Sequence, residues 1–172
     1  MDFDLTIYGP VAHSLLLAAD CPKRRMPLII GECSNQEARA ELKNKKASAI
    51  FPKAANPEAA LSGIYLYIGC FEEAHSIAQD IKDVDGSYWH AILHRQEPDA
   101  FNAGYWFNRV GRHQIFSRLA LEAKASGYGN GGNWDPIAFI RYAENSANRD
   151  LAIEVQHLEW QLLFHHCAKA KG

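Results

Sequence analysis

Two histidines that stand four positions apart carry the clearest chemical signal in the sequence. His90 and His94 fall on one face of a short predicted helix, and this spacing allows two imidazoles to bind one metal ion. His75 continues an apolar stripe on the preceding predicted helix, so its ring is expected to point inward. We therefore predict His75, His90 and His94 as ligands of a divalent metal such as zinc, iron or manganese. The alternative is a core histidine that is hydrogen-bonded to a carboxylate or a carbonyl group.

Two familiar metalloenzyme patterns are not supported. The segment between the paired histidines lacks the glutamate that follows the first histidine in a zinc protease helix. Two Glu-x-x-His steps, from Glu72 to His75 and from Glu154 to His157, match the spacing used in di-iron helical bundles. That fold also needs two further inward glutamates, and His157 stands one step before an apolar stripe, so an inward His157 is not expected. We do not favour a di-iron site.

A polar cluster follows the paired histidines along the chain. Asn102, Trp106 and Arg109 step along one face of the next predicted helix, and an amide, an indole and a guanidinium together suit a polar or anionic ligand. The predicted catalytic residues are Glu97, Asp99 and His113, with Glu97 or Asp99 as a metal ligand or general base, and the predicted substrate-binding residues are Arg95, Asn102, Trp106, Arg109 and Trp89. The alternative is an internal network in which the arginines pair with the two acids and no ligand binds.

Helical periodicity dominates the elements that must position these side chains. Asn56, Pro57 and Glu58 supply an N-cap, a first-position proline and an early acid, and they open an amphipathic helix that is predicted to run to about Asp83. Further helices are predicted over 87–96, 98–111, 115–125 and 149–169, and from Asp135 onward. Residues 1–55 are predicted to be irregular, apart from a charged helix over 34–46, and to wrap the helical body of residues 56–170. The sequence predicts an all-α protein, a single-domain irregular helical bundle of residues 1–172.

Charge and composition restrict the partners and the location. The formal net charge of −2 leaves no basic surplus for binding to nucleic acid. No apolar run approaches the roughly 20 residues that cross a bilayer, and the first residues are acidic where a signal peptide is basic. We predict a cytoplasmic protein without a membrane partner. Four cysteines, Cys21, Cys33, Cys70 and Cys167, are scattered without a C-x-x-C pair, which predicts reduced and mostly buried thiols.

The central segment resembles a known family. Residues 87–113, with the sequence SYWHAILHRQEPDAFNAGYWFNRVGRH, are similar to the signature of a family of uncharacterised bacterial and fungal proteins, as are residues 71–79, 134–139 and 156–160. The resemblance covers about residues 56–165, and it implies a recurrent pattern made of Glu73, His75, Trp89, His90, His94, Arg95, Glu97, Asp99, Asn102, Trp106, Arg109 and His113. The family has no assigned activity, so the resemblance implies no mechanism. The chain departs from the pattern at Gly104 and Asn108, where Lys and Arg are expected, which weakens the case for a strongly cationic pocket.

Three functions remain open at this point. The first is a metal-dependent, hydrolase-like enzyme that acts on a small polar or anionic substrate through a metal-activated water. The second is a non-enzymatic module that binds an anion, a sugar or a nucleotide. The third is a buried polar network with no ligand. The sequence gives no indication of the oligomeric state.

Overall fold

Ten α-helices make up most of the computed structural model, which describes residues 3–129 and 131–170. They are α1 (Pro10–Ala18), α2 (Gln36–Lys43), α3 (Ala47–Ile50), α4 (Pro57–Tyr67), α5 (Phe71–Asp80), α6 (Val84–Gln96), α7 (Ala100–Val110), α8 (Phe116–Ala125), α9 (Pro136–Glu144) and α10 (Arg149–Ala168). Short 3₁₀ helices cover Leu5–Tyr8 and Ser146–Asn148. Within the described ranges no strand forms, and an isolated bridge joins Ala54 to Ala170. The predicted all-α irregular bundle is confirmed.

The long helix that was predicted from Asn56 to about Asp83 is divided into two. Its start is as expected, because the Asn56 side chain accepts a hydrogen bond from the backbone N–H of Ala59. The helix ends near Gly69, which has a φ of +77° that L side chains rarely adopt. A Cβ at this position would also stand 3.0 Å from the carbonyl oxygen of Glu32. The chain therefore turns here, and α5 begins as a separate helix that carries His75.

Aspartate caps fix the starts of the helices that flank the predicted chemistry. Asp83 accepts hydrogen bonds from the first turn of α6, and Asp99 accepts one from the backbone of Asn102 in α7. The two helices therefore begin at Val84 and Ala100, rather than at Ser87 and Pro98 as predicted. Pairing of α6 with α7 provides the most extensive helix contact in the protein. This pairing positions the histidine face of α6 against the aromatic face of α7.

The N-terminal segment is more helical than the sequence indicated, since α1 and α3 form in addition to the expected charged helix. It contributes to the core through fully buried residues such as Leu16, Met26 and Phe51. The carbonyl oxygen of Pro27 accepts hydrogen bonds from the side chains of Gln96 and Gln156, at 2.6 and 2.8 Å. The segment thus wraps the helical body, as predicted, and it is bonded to both α6 and α10.

The last helix, α10, passes through the core and organises its aromatic packing. Trp160 is fully buried, and its ring lies 4.5 Å from Tyr67 and 5.0 Å from Phe164, measured between ring centroids. Its indole N–H donates to the carbonyl oxygen of Gly63 at 2.8 Å. A buried indole N–H without a hydrogen-bond partner would destabilise the fold. This contact therefore fixes how closely α10 approaches α4.

Gly63 lets Trp89 pack directly against the backbone of α4. A Cβ at position 63 would lie 2.8 Å from Cζ2 of Trp89, too close for an undistorted contact. We expect Gly63→Ala to lower the free energy of unfolding by about 1–3 kcal/mol, because a buried ring must shift. Gly104→Ala is the matched control, since its Cβ would meet Ile137 at 3.8 Å. In equilibrium denaturation, Gly104→Ala should be more stable than wild type by about 0.5–1 kcal/mol, which is the usual gain when alanine replaces glycine inside a helix. Equal effects of the two substitutions would contradict the packing argument.

The cysteines correct one prediction. Cys33 and Cys70 form a disulfide, whereas Cys21 and Cys167 are free and buried as predicted. Burial raises the pKa of the Cys21 thiol to about 12, so this residue is not a nucleophile. The pairing was not foreseen because the two bonded residues are 37 positions apart, and the fold brings their Cα atoms to 4.4 Å.

Among the described helices, none is both long enough and apolar enough to cross a bilayer.

Candidate metal centre

Three histidines from two neighbouring helices converge between α5 and α6. His75 extends from α5, and His90 and His94 extend from successive turns of α6. The Nε2 atoms of His75 and His90 are 2.9 Å apart, and one ligand atom from each of the three residues lies within 4.8 Å of the others. Two nitrogens bound to one tetrahedral zinc ion stand about 3.3 Å apart, so this spacing is close to that of a metal site. The three residues that the helical spacing singled out could hold a metal ion.

The charge state of the cluster suits a cation. Burial, together with the neighbouring His75 and His94, lowers the pKa of His90 to about 3. Burial also lowers the pKa of His75, and the neighbouring His94 adds to the effect. These two imidazoles are therefore neutral at neutral pH, and neutral imidazole is the form that binds metals. Neither of these two rings has to lose a proton from its charged form before an ion enters.

Aromatic contacts hold two of the rings in place. The indole of Trp106 stacks on His90 with a centroid distance of 4.0 Å, and Phe71 stacks on His75 at 5.5 Å. The guanidinium of Arg109 lies 5.2 Å from the Trp106 ring in a cation–π contact. Trp106 and Arg109, which were predicted to bind substrate, are thus placed beside the cluster, and Trp106 acts as its wall.

Glu97 contacts the outer edge of the cluster. Its Oε2 atom lies 3.1 Å from Nδ1 of His94, and the carboxylate side chain is half exposed. If Nδ1 donates to this carboxylate, the lone pair of His94 is on Nε2 and remains free for a metal. A carboxylate behind a ligand histidine is the usual way to fix its tautomer and to raise its basicity. The geometry fits Glu97 as the orienting partner of His94.

Asp99 is near Glu97 and His94, but hydrogen bonds occupy it. Its Oδ1 accepts from the backbone N–H of Asn102 at 3.0 Å, and its Oδ2 accepts from the side-chain amide of Asn102 at 2.6 Å. The backbone bond, followed by the side-chain bond, lowers the pKa of Asp99. Asp99 and Asn102, predicted as a catalytic and a substrate-binding residue, therefore form the cap of α7. This role holds the turn that carries Glu97.

His113 belongs to a second cluster with Asp85 and His166. Its Nε2 lies 3.0 Å from Oδ1 of Asp85, and its Nδ1 accepts from the backbone N–H of Ile115 at 3.3 Å. Burial alone would raise the pKa of Asp85, but hydrogen bonds from His113, His166 and Asn56 hold it well below its usual range. Because Nδ1 accepts a hydrogen bond, it carries no proton, so Nε2 carries the ring proton and donates it to Asp85. The three residues also meet the spacing for a metal, yet this pattern favours a hydrogen-bonded network.

Arg95 and Trp89 occupy the interior instead of a surface site. Arg95 pairs with Glu159 of α10, and its Nε donates to Gln156 at 3.1 Å. The other oxygen of Glu159 accepts from the hydroxyl of Tyr88 at 2.9 Å. Trp89 is fully buried and presents no face on which a ligand could stack. The predicted pairing of Arg95 with Glu97 or Asp99 is replaced by pairing with a residue more than sixty positions away.

His157 differs from its expected orientation. It is fully buried, and its Nε2 lies 3.2 Å from the carbonyl oxygen of Pro22. Glu154, the carboxylate of the same Glu-x-x-His step, instead forms an ion pair with Arg25 at 2.8 Å. His157 and Glu154 therefore bond to other parts of the chain and do not form half of a di-iron site.

Sequence reasoning did not identify the buried partners on α10 or the Asp85 cluster. Glu159 lies in a helix with an apolar stripe, and only the folded structure shows that its charge pairs with Arg95 in the interior. The one signal that pointed to it was the run of residues 156–160 within the family resemblance. Asp85 and His166 are 81 positions apart, and no local periodicity joins them.

Comparisons with protein-family models, with curated proteins and with solved structures found no match. The resemblance to the uncharacterised family remains a prediction.

Proposed function

We propose that the protein binds a divalent metal ion, with zinc the first choice, through His75, His90 and His94. One observation carries this proposal. A buried histidine normally pairs with a carboxylate or a carbonyl group, whereas the hydrogen-bond partner of His90 among the described residues is another histidine. Its Nδ1 is buried without a partner in the same part of the chain. The neutral imidazoles of His75 and His90 are hydrogen-bonded to each other, an arrangement that is weak as a structural network and well suited to a cation.

The proposed activity is hydrolysis of a small polar or anionic substrate. Three histidine ligands leave a fourth position of a tetrahedral ion for water, whose pKa falls to about 7 on zinc. Glu97 is half exposed at the edge of the cluster, where it can orient His94 and raise the basicity of this ligand. Arg109 is exposed above Trp106 and supplies a positive charge near the cluster. The positive charges of the metal ion and of Arg109 favour a small anionic substrate over a neutral one.

Metal content tests the first step of the proposal. Protein purified without an affinity tag is expected to contain close to one zinc, iron or manganese ion per chain by mass spectrometry. The variant His90→Ala/His94→Ala should lose the metal, because two ligands are removed. His75→Ala, which alters a less buried position, should reduce the affinity by at least about tenfold. His13→Ala is the matched control, since this half-exposed histidine lies outside the cluster.

Either of two results would reject the metal proposal. One is metal-free wild-type protein that also fails to bind added zinc. The other is a cluster variant that keeps its helical circular dichroism and binds as much metal as the control. In the metal-loaded protein, Glu97→Gln should retain the ion and lower the hydrolysis rate by about ten- to a hundredfold on a panel of phosphate and carboxylate esters, because His94 loses its orienting carboxylate. An unchanged rate would remove Glu97 from the mechanism and leave the metal site in place.

One disulfide in the structure bears on the predicted cytoplasmic location. The cytoplasmic prediction rests on the acidic first residues and on the lack of an apolar run long enough to cross a bilayer. The Cys33–Cys70 disulfide weighs against it, because such bonds persist mainly in oxidising compartments. We also propose that the partner of the protein is a small polar or anionic molecule, and not nucleic acid or a membrane.

A further inference from the structure

A cavity of about 350 Å³ lies on another side of α6, between the end of that helix, α9 and the start of α10. Leu28 and Ile29 from the N-terminal segment form one wall, and Ile140 and Ala143 from α9 form another. This volume is at the lower end of the range for small-molecule sites. None of His75, His90 and His94 lines it, so an inference about this cavity does not rest on the proposed metal centre.

The cavity combines an apolar interior with a few charged groups. Arg95 and Arg149 line it, together with Glu144 and Ser146. Arg149 is exposed and is the first residue of α10, whereas the Arg95 side chain is only 2% exposed. A site with apolar walls and two guanidinium groups suits a molecule that has a hydrocarbon body and a negative end.

Arg95 carries an unused hydrogen-bond donor. Its Nε donates to Gln156 and its Nη2 to Glu159, while Phe139 covers one face of the guanidinium at 4.7 Å. Its Nη1 is buried, and no partner for it exists within residues 3–129 and 131–170. A guanidinium has its donors in a fixed planar fork, so Nη1 is on the edge away from Gln156. Neither Gln156 nor Glu159 lines the cavity, but Arg95 does. Arg95 therefore adds positive charge to the wall of the cavity, although its Nη1 atom is not itself accessible.

We propose that this cavity binds an organic monocarboxylate, with its carboxylate end toward the guanidinium groups of Arg95 and Arg149 and its hydrocarbon chain against Leu28, Ile29 and Ile140. Arg149 provides the second cation at the rim. The positive end of the α10 dipole favours a negative charge in the same place. Glu159 already balances Arg95, and Glu144 stands near Arg149, so the site tolerates one added negative charge better than the two of a phosphate.

Calorimetric titration with butanoate, hexanoate and octanoate, each paired with its neutral amide, tests the proposal. At least one carboxylate should bind more tightly than its amide by about tenfold or more, because the two arginines favour a negative charge over a neutral amide. Arg149→Gln should weaken this carboxylate by about three- to tenfold. Arg141→Gln removes an exposed arginine of α9 that does not line the cavity, and it should leave the affinity unchanged.

Filling the cavity gives an independent readout. Ala143→Phe should weaken the same carboxylate by about a hundredfold, since the new ring occupies the space of its hydrocarbon chain. Ser146→Tyr, on an exposed 3₁₀ turn at the rim, is the second variant in case the first does not fold. The proposal is overturned if no carboxylate binds more tightly than its amide. It is also overturned if a folded, cavity-filled variant keeps the wild-type affinity.

Discussion

Replacing Glu159 with glutamine is expected to destabilise the protein by about 3–5 kcal/mol. The substitution keeps the shape of the side chain but leaves the guanidinium of Arg95 without a negative partner in the interior. The side chains of Arg95 and Glu159 are 2% and 0% exposed, so water cannot replace the lost charge. Glu159 also accepts from Tyr88, whose pKa is raised first by burial and then by this carboxylate. Urea denaturation followed by circular dichroism measures the loss.

Glu154→Gln is the matched control on the same helix. Glu154 pairs with Arg25 near the surface, with exposures of 32% and 49%, so the same change should alter stability by less than about 1 kcal/mol. The double substitution Arg95→Met/Glu159→Leu removes both buried charges, and it should be less destabilising than Glu159→Gln alone. A small effect of Glu159→Gln, equal to that of the control, would show that Arg95 does not depend on this carboxylate.

Zinc is expected to raise the free energy of unfolding by about 4 kcal/mol when its free concentration is about a thousandfold above the dissociation constant. The reason is that the folded chain brings His75, His90 and His94 together, whereas the unfolded chain does not. For a chain of this length the unfolding temperature should rise by on the order of 10 °C. Differential scanning calorimetry with buffered zinc, compared with the same buffer containing a chelator, measures this shift.

The variants separate a specific site from general binding to histidine. The shift should disappear in His90→Ala/His94→Ala and persist in His13→Ala, because the second substitution leaves the cluster unchanged. His113→Asn is a further control, since His113 is in the cluster with Asp85. Equal stabilisation of the cluster variant and of wild type by zinc would place the binding elsewhere and contradict the proposed ligand set.

Local signals in the sequence predicted the helices well, and the metal cluster followed from them. Asn56 and Asp135 were predicted to cap helices, and each caps one in the structure. The four-residue spacing of His90 and His94 places them on one helix face regardless of the rest of the fold. His75 joins them because α5 packs against α6. An apolar stripe shows which face of a helix is buried, but it does not show which other helix packs against that face.

Errors in the sequence analysis occurred where a residue's role depends on a distant partner. Cys33 and Cys70 were expected to be free thiols, because spacing alone cannot reveal that a chain returns on itself. Trp89 was expected at a ligand surface, but its burial depends on the missing side chain at Gly63. The division of α4 from α5 was missed because a single glycine does not show whether its φ will be positive.

The sequence by itself determined the all-helical class, the helix starts after Asn56, Asp135 and Asn148, and the common face of His90 and His94, since these depend on interactions between residues a few positions apart. The tertiary structure alone decided that Arg95 pairs with Glu159, that His113 joins Asp85, and that a cavity forms between α6, α9 and α10. Those features depend on how helices pack, and many arrangements of the same amphipathic helices bury similar apolar area. Only the observed arrangement specifies which polar groups meet.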